Sequence, residues 1–401
     1  MMGGIRSHEF ARYLAAQGHD VTIIASWQSE SAPPTKTEHV DGYSLHWLHV
    51  PYSNSMGYRR RLFAFSKFMV LASWHGCRLP ADLVFATSTP LTVVIPGALA
   101  SWVRRVPWIL EIRDLWPEVP IALGALRNPL AQWLARCLER FGYRTASHLI
   151  ALSPGMKDGI LRAGVPASRI TVIPNLSDLD RFGPESCDPE RFLQLHPQLQ
   201  GRPIVLYAGT FGRVNGLGYV IQIAAEALKD PGDVAFCVVG DGFERDGLLA
   251  QAASAGVLGR NFFVCSPVPK QCLPDVLAAS EVCLSFVVDV PELWNNSANK
   301  FFDALAAGKP LVINHEGWQA DLIRRHDVGV VLPPSDASRA WAMLSKFLAC
   351  RDRVAGAGRR ARQLAESSFN KSHLCAQFET VLRASISAKE SARRVSEPGV
   401  L

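Results

Sequence analysis

Short runs rich in β-branched residues alternate with segments of helical length along almost the whole chain. The runs are HDVTIIAS, DLVFATS, PWILEIRD, SHLIALS and ITVIPN, followed by PIVLYAGT, VAFCVVGDG, SEVCLSF and KPLVINH. Helical segments between them include 91–103, 127–146, 216–229 and 335–348. Strands that alternate with helices form parallel sheets covered by helices on both faces. The pattern therefore predicts an α/β fold.

The length of 401 residues predicts two doubly wound domains, since a domain usually has roughly 150 to 200 residues. The polar, proline-bearing stretch GPESCDPERFLQLHPQLQGRP contains no strand run, so we predict a linker at 184–202. It separates a first domain at 1–183 from a second at 203–370. We expect a helix at 371–386 to pack back on the first domain. The remainder, 387–401, loses apolar periodicity and is expected to be disordered.

Ligands of doubly wound sheets bind at the carboxyl ends of the strands, so the cleft between the two domains is the expected site. A doubly wound domain begins with a strand that leads into a glycine-rich turn. Here MMGG and a helical segment, IRSHEFARYLAAQGH, come first. We therefore expect a first strand to be missing and the natural reading frame to start upstream.

Composition excludes several classes of protein. A hydrophobic fraction of 48% with 19% charged residues is that of a globular chain rather than a disordered or collagen-like one. The nine cysteines include no CxxC pair, which favours reduced thiols in a cytoplasm over disulfides or a zinc site. No secretory signal is evident at the N-terminus. No charge occurs between Asp82 and Arg104, but Pro90 and Pro96 indicate a strand, a turn and a buried helix there rather than a spanning helix.

Residues 58–78, YRRRLFAFSKFMVLASWHGCR, combine five basic residues with an apolar stripe. A basic amphipathic helix of this kind can lie on an anionic membrane surface. An ordinary surface helix with its stripe on the core explains the pattern equally well. Nucleic-acid binding is disfavoured because the net charge of +6 is modest and is not spread along a groove.

The stretch VLYAGTFGRVNGLGYVIQIA reads as a strand, a glycine-rich turn and a helix. Gly209 and the neighbouring Thr210 begin a turn whose backbone could approach a phosphate, and Arg213 adds a forked cationic donor. The spacing matches neither a dinucleotide fingerprint nor a P-loop. A plain surface turn is the alternative interpretation.

A second turn follows the strand in FCVVGDGFERDGLL. Gly240 and Gly242 would let a flat base or a ribose lie against the backbone. A tight turn alone would use the same two residues.

The stretch NNSANKFFDALAAGKP predicts a helix that begins near Ser297. The amides of Ser297, Ala298 and Asn299 would then form an anion site at the positive end of the helix dipole. Lys300 opposes that dipole unless an anion is bound. Asp303 shares a face with Asn299 and could accept both hydroxyls of a ribose. A solvated face with a local salt bridge is the alternative.

Together these stretches resemble the retaining glycosyltransferase family 4, which has the two-domain GT-B fold. AGTFGRVNG, VVGDGFERDGLL, VIPNLSDLDRF and NNSANKFFDALAAGKP follow that family's order. NKFFDALAAGKP, EIRDLWPE and EGWQADLI are similar to bacterial enzymes that add aminosugars to lipid-linked O-antigen or capsule precursors.

The resemblance implies roles for residues of the second domain. The family's Glu-x7-Glu motif falls on Asn295 and Asp303, so Asp303 keeps the carboxylate that holds the donor ribose, while Asn295 replaces the glutamate that meets the sugar ring. The family's arginine and lysine on the first turn fall on Thr210 and Asn215. Neither is basic, and Arg213 together with Lys300 is the expected substitute.

The resemblance implies that Asn295, Asp114 and Arg113 are the catalytic residues, with Arg113 at the place where many members have histidine, beside Asp114. On the acceptor side it implies a glycine-rich loop. Gly3 and Gly4 match the family's glycine-rich acceptor loop.

The function implied is retaining transfer of an N-acetylated aminosugar from a UDP-sugar to a polyprenyl-diphosphate-linked saccharide. It would need no metal and no cofactor beyond the nucleotide-sugar, and would take place in the cytoplasm at the inner face of the plasma membrane, with 58–78 on the lipid. Three alternatives stay open: a UDP-sugar epimerase, a non-catalytic nucleotide- or sugar-binding protein, and a pyridoxal phosphate phosphorylase.

Overall fold

A computed structural model of the chain describes residues 5–27, 35–52, 56, 58–88 and 90–396. The chain forms two compact units. The first contains the residues up to Pro174 together with those from Ser372 onward, and the second contains Asn175–Lys371.

The first unit contains seven strands and six helices in the described chain before Pro174. The strands are β1 (Thr22–Trp27), β2 (Thr35–Val40), β3 (Tyr43–His49), β4 (Val84–Thr87), β5 (Trp108–Ile112), β6 (His148–Ala151) and β7 (Ile170–Val172). The helices are α1 (Ile5–Ala16), α2 (Tyr58–Gly76), α3 (Val94–Arg104), α4 (Glu118–Ala122), α5 (Pro129–Thr145) and α6 (Pro154–Arg162). The strands form one sheet in the order β1-β3-β2 and a second, wholly parallel sheet in the order β4-β5-β6-β7.

The second unit has one parallel sheet of six strands in the order β10-β9-β8-β11-β12-β13. The strands are β8 (Ile204–Ala208), β9 (Ala235–Val239), β10 (Phe262–Cys265), β11 (Val282–Leu284), β12 (Leu311–Ile313) and β13 (Gly329–Val331). The helices are α7 (Pro189–Leu195), α8 (Leu217–Ala227), α9 (Arg245–Ser254), α10 (Leu273–Ala278), α11 (Asn299–Ala306), α12 (Trp318–His326), α13 (Ala337–Leu348) and α14 (Arg351–Ser368). The last helix of the chain is α15 (Lys371–Ser396).

The predicted α/β class is confirmed, and all nine predicted strands are present. Four strands were not predicted. The hairpin β2–β3 is polar on its exposed positions and pairs antiparallel, unlike the rest of the chain. β10 and β13 were missed although they are apolar and have four and three residues, the same lengths as the predicted strands β4 and β7.

Within the described residues, β1 pairs only with β3 and β4 pairs only with β5. β5 is buried along its whole length, whereas the similarly apolar β4 is partly exposed along its whole length. The missing first strand stays a prediction.

The structure divides the chain at Pro174 rather than at 183, and the segment 184–202 belongs to the second unit. Phe192 of α7 is buried in that unit's core. The amide of Asp188 donates to the Asp275 carboxylate at 2.7 Å. These contacts explain why a polar, proline-rich stretch is held in place instead of acting as a free linker.

The helix α15 packs on the first unit, where Phe378 stacks on Phe10 with ring centroids 4.0 Å apart. It continues to Ser396, although we predicted a disordered tail from residue 387. The extra turns are rich in Ala, Lys, Glu and Arg, which favour helix without needing an apolar face, so periodicity alone missed them.

In the part of the chain that the structure describes, none of the helices combines the length and the apolar character needed to cross a bilayer.

Candidate functional site

The strand order of the second unit creates a switch point between β8 and β11. The chain winds outward from β8 through β9 to β10, and from β11 through β12 to β13. Ligands of doubly wound sheets bind in the crevice at the carboxyl ends of such a pair of strands. A small cavity lies at this position, lined by apolar side chains of β8, α10 and β11 and by two charged side chains of α11, Lys300 and Asp303.

The helix α11 begins at Asn299, two residues later than the predicted start at Ser297. Its N-cap residue, Ala298, has no side chain that can cap the helix. The first turn of the helix therefore contains the amides of Asn299 and Lys300, and the anion site predicted at Ser297, Ala298 and Asn299 stays a prediction. Phe301 and Phe302 are fully buried and fix the helix against the core.

Lys300 reaches from α11 to the end of β8. Its ammonium donates to the Tyr207 hydroxyl at 3.0 Å and to the Asn215 side-chain oxygen at 2.8 Å, and it lies 4.3 Å from the centroid of the Tyr207 ring. The Tyr207 hydroxyl in turn donates to the carbonyl of Thr210 at 2.7 Å. Burial lowers the pKa of Lys300 to about 7. The ammonium is therefore held in place, while burial disfavours its positive charge. An anion bound beside it would stabilise that charge.

Asp303 lies one turn further along the same helix and lines the cavity. Burial raises its pKa to about 7, against the opposing effects of Lys270 and Arg181. Two groups of opposite charge thus titrate near neutral pH in one cavity. A nearby ligand with phosphate and hydroxyl groups would stabilise the charged form of each.

The two predicted glycine turns pack against each other through their backbones. A Cβ atom on Gly240 would lie 1.9 Å from the carbonyl oxygen of Gly209, and one on Gly242 would lie 2.5 Å from that of Phe211. Phe211 also accepts a backbone hydrogen bond from Glu244 at 3.0 Å. Glycine is therefore required at these positions by the close approach of the two turns.

Arg213 lies on the same turn as Thr210 but points elsewhere. Its side chain is 76% exposed and pairs with Glu244 at 3.4 Å, with the guanidinium 5.0 Å from the centroid of the Phe243 ring. Thr210 is exposed and contributes its carbonyl, which also accepts from Asn215 at 2.9 Å. Of the two basic residues expected to serve the donor, the structure places Lys300 in the cavity and Arg213 on the surface.

The loop before α11 holds buried polar atoms that have no hydrogen-bond partner in the protein. Within the described residues nine such side-chain atoms occur, of which three lie in this loop and two lie outside it on Asn175 and Gln319. These five are the Trp294 Nε1, Asn296 Oδ1, Ser297 Oγ, Asn175 Oδ1 and Gln319 Nε2 atoms. Asn175 contacts the loop because its side-chain amide nitrogen donates to the backbone carbonyl of Ser297 at 2.6 Å. Buried polar atoms are normally paired, so these atoms indicate a place for a polar ligand or water.

Sequence reasoning predicted Ser297 and the adjacent Asn295, which lies partly buried in this loop, but not Asn175 or Gln319. Asn175 follows β7 in VIPN, and Gln319 is in the first turn of α12. Polar residues directly after a buried strand or at a helix start were the signal that could have identified them.

Two of the three residues predicted to be catalytic lie in the first unit. Arg113 and Asp114 directly follow β5, and the Arg113 amide donates to the Ser88 hydroxyl at 3.2 Å. Gly3 and Gly4 lie outside the described residues.

A buried ion pair that was not predicted lies close to this edge of the first unit. Arg6 of α1 contacts Glu111 of β5 at 2.7 Å, and both side chains are almost fully buried. Thr87 donates to the same carboxylate at 2.8 Å, and Arg6 also donates to the carbonyl of Ile173 at 2.7 Å. These bonds attach the start of α1 to the carboxyl ends of β4, β5 and β7.

The fold is that of the GT-B class of glycosyltransferases. Residues 3–176 match the family model described as a glycosyl transferase 4-like domain, and residues 202–349 match that of glycosyl transferases group 1. The chain belongs to glycosyltransferase family 4, as its motifs predicted.

Two curated relatives are similar over part of their length. A protein of Escherichia coli (strain K12) named as the colanic acid biosynthesis glycosyl transferase WcaI is 27% identical over 274 residues, covering 64% of this chain and 66% of that protein. The alpha-D-kanosaminyltransferase of Streptomyces kanamyceticus is 26% identical over 241 residues, covering 59% of this chain and 60% of that protein.

Solved structures share the fold over most of the chain. Sucrose-phosphate synthase from Thermosynechococcus elongatus superposes with a TM-score of 0.77 at 20% identity, covering 96% of this chain and 94% of that one. HepE from Anabaena, in complex with UDP-glucose, superposes with a TM-score of 0.66 at 19% identity, covering 84% of this chain and 86% of that one.

Proposed function

We propose that the chain transfers a sugar, an N-acetylated aminosugar, from a UDP-sugar to a lipid-linked saccharide during the synthesis of a cell-surface polysaccharide. One observation carries the proposal: a cavity at the switch point of the second sheet brings together an ammonium, a carboxylate and the first turn of a helix. These are the groups needed to hold a diphosphate and a ribose. In this proposal the catalytic work is donor activation and the acceptor hydroxyl is the nucleophile.

Lys300 and the amides of Asn299 and Lys300 would hold the diphosphate. When the bond between the sugar and the β-phosphate breaks, negative charge grows on the departing diphosphate. A fixed cation and helix amides stabilise that charge most in the transition state. Lys300 is already positioned by Tyr207 and Asn215, so little reorganisation is needed.

Asp303 would accept the two ribose hydroxyls, as the resemblance to the family implies. The unpaired atoms of Ser297, Asn296 and Asn175 would then face the sugar end of the donor, next to Asn295. An N-acetyl group has one donor and one acceptor, which suits amide and hydroxyl partners better than carboxylates.

The comparisons support parts of this proposal. The UDP-glucose complex of HepE supports a UDP-sugar as donor. The similarity to WcaI, a colanic acid biosynthesis protein by name, supports a polysaccharide pathway. The similarity to the kanosaminyltransferase supports an aminosugar as the transferred group. Three further points are proposals that rest on the sequence alone. They are lipid linkage of the acceptor, cytoplasmic placement at the inner membrane face, and contact of 58–78 with lipid.

Calorimetric titration tests the donor site first. UDP, GDP and TDP are titrated with and without magnesium into wild type, Asp303→Ala and Asp352→Ala, a control in which an exposed carboxylate of α14 is removed. We expect UDP to bind without magnesium, to lose most of its affinity with Asp303→Ala and to keep it with Asp352→Ala. Equal binding by the two variants would contradict the ribose contact.

Product analysis then separates transfer from the alternatives. A transferase releases UDP in proportion to acceptor, whereas an epimerase converts the donor with no acceptor present. Nucleotide binding without turnover of any UDP-sugar, over a panel of saccharide acceptors, would favour a binding protein instead.

A further inference from the structure

Three neighbouring helices of the first unit form one layer. A Cβ atom on Gly76 at the end of α2 would lie 3.3 Å from the Cβ atom of Ala100 on α3, so these helices are in close contact. On the other side of α3, Trp102 meets Phe141 of α5 edge to face, with ring centroids 5.7 Å apart. Gly97 of α3 packs against Trp108 of β5. The helix α3 therefore lies between α2 and α5, with its small residues on the sheet.

The outer side of this layer is unusually apolar. Of the fourteen large hydrophobic side chains exposed in the described part of the chain, ten belong to α2, α3 and α5. They include Phe63 (71% exposed) and Val70 on α2, Trp102 and Val103 on α3, and Trp133 (59% exposed) and Leu134 on α5. Exposed apolar side chains that are concentrated on neighbouring helices usually mark a contact with a partner or a membrane.

The same helices are strongly basic. Eleven arginine and lysine residues and a single acidic residue, Glu139, occur in the three helices and the few residues that flank them, which are 58–78, 94–105 and 127–145. The net charge of the whole chain is only +6, so positive charge is concentrated on these helices. Burial raises the pKa of Glu139 to about 7, which further reduces the negative charge there. Arg78 lies over the Trp74 ring at 3.9 Å, so basic and apolar groups are interleaved.

We infer that this three-helix face, made of the exposed apolar and basic side chains of α2, α3 and α5, binds the surface of an anionic lipid bilayer. Tryptophan and aliphatic side chains enter the headgroup region, and arginines pair with anionic headgroups. A protein partner would have to offer acidic groups over the whole of this face, whereas an anionic bilayer supplies both the negative charge and the apolar interior that the face requires.

The sequence predicted lipid contact for 58–78 alone, and the structure adds α3 and α5 to it. The inference rests on the proposed function only in giving a reason for the contact, which is a lipid-linked acceptor. Lipid binding itself requires neither donor nor acceptor, so the two can fail separately.

Vesicle flotation tests the apolar part of the face. The full chain is mixed with phosphatidylcholine vesicles with and without phosphatidylglycerol. The double variant Val103→Ser/Trp133→Ser leaves α2 unchanged, and the matched control Leu161→Ser/Leu195→Ser removes two exposed leucines elsewhere. We expect wild type and control to float with anionic vesicles, and the double variant to need about tenfold more lipid for half-maximal binding.

A second pair of variants tests the charge. Arg60→Gln/Arg136→Gln removes two exposed arginines of the face, and Arg325→Gln/Arg359→Gln removes two exposed arginines of the second unit. We expect weaker binding to anionic vesicles only for the first pair, and a stronger effect at low salt than at high salt. Unchanged melting curves by circular dichroism show that each variant is folded.

Three results would overturn the inference. Wild type fails to float with anionic vesicles, or Val103→Ser/Trp133→Ser floats like wild type, or light scattering shows a dimer that the same variant dissociates, in which case a second copy covers the face. UDP binding that persists in any of these cases leaves the proposed donor site intact. Conversely, flotation without nucleotide binding would reject the donor site and leave the lipid contact standing.

Discussion

The ammonium of Lys300 lies 2.8 Å from the side-chain oxygen of Asn215, although the two residues come from different parts of the second unit. Asn215 ends the turn after β8, and Lys300 belongs to the first turn of α11. The resemblance to family 4 implies a lysine at position 215, where this chain has asparagine. The structure brings the ammonium of Lys300 to the side chain at this position from another helix.

Replacing Lys300 by methionine should therefore weaken UDP binding by about tenfold to a hundredfold, the loss expected for one charge-assisted contact to a phosphate. The control Lys346→Met removes an exposed lysine of α13 and should change nothing. The informative variant is the exchange Asn215→Lys/Lys300→Met, measured by calorimetry. Recovery of most of the affinity would show that only the position of the charge matters, and no recovery would show that Lys300 acts through its own helix position.

UDP affinity should depend on pH near neutrality. Since the pKa of Lys300 is lowered to about 7, the cation is lost as the pH rises through that value, and affinity for an anion should fall. Binding at about pH 8 should also take up a proton, which appears in calorimetry as a dependence on the ionisation heat of the buffer. Lys300→Met should remove both effects, while Lys346→Met keeps them. Ionisation of Asp303 opposes this effect on the acid side of pH 7, so the contradicting result is a wild-type affinity that does not fall between about pH 7 and about pH 9.

Asp303 should destabilise the chain in the absence of a ligand. Its folded pKa of about 7 lies above its ordinary value of 3.8, so the folded state holds a proton that the unfolded state has released. Stability is therefore lost as the pH rises from about 4 to about 7, and the full cost is present above that range.

The variant Asp303→Asn removes this cost, and its melting temperature should exceed that of wild type at about pH 8, with a gain of about 1 to 3 kcal/mol in the free energy of unfolding. The difference should shrink at about pH 5, where the wild-type carboxyl is protonated. Asp352→Asn, on the surface of α14, serves as the control. A difference that did not change with pH would show that packing, and not the charge, is responsible.

Much of the fold could be predicted from the sequence, because buried parallel strands are short, apolar and rich in β-branched residues. Some of the missed elements lack that signal. The hairpin β2–β3 mixes polar with apolar residues, and the end of α15 has helix-favouring residues with no apolar stripe. The segment 184–202 is polar in composition, yet Phe192 anchors it, which only the tertiary structure reveals.

The candidate site could be predicted only where residues are close in sequence. Lys300 and Asp303 were found because they lie on one helix after a recognisable start. The contact between Lys300 and Asn215 joins positions 85 residues apart, and no local pattern indicates it. The same is true of Asn175, whose amide reaches the carbonyl of Ser297 across 122 residues. Arg213 was predicted to serve the donor because it is cationic and follows a glycine-rich turn. Its side chain lies on the surface instead, where it pairs with Glu244.

The packing of the two glycine turns gives the last prediction. A Cβ atom on Gly240 would lie 1.9 Å from the carbonyl oxygen of Gly209, a distance at which the two atoms overlap. The φ of 153° at Gly240 is also one that other residues rarely adopt. Gly240→Ala should therefore push the turn after β9 away from the turn after β8, at a cost of about 2 to 4 kcal/mol in the free energy of unfolding.

The matched control is Gly232→Ala, where an added Cβ meets nothing within 4 Å. Denaturant unfolding of both variants measures the difference. Because the turn after β8 carries Thr210 and supports Lys300 through Asn215, Gly240→Ala should also weaken UDP binding in whatever fraction remains folded. If Gly240→Ala proved as stable as Gly232→Ala, the two turns would have to be further apart in solution than the structure shows, and the position of Lys300 would lose its support.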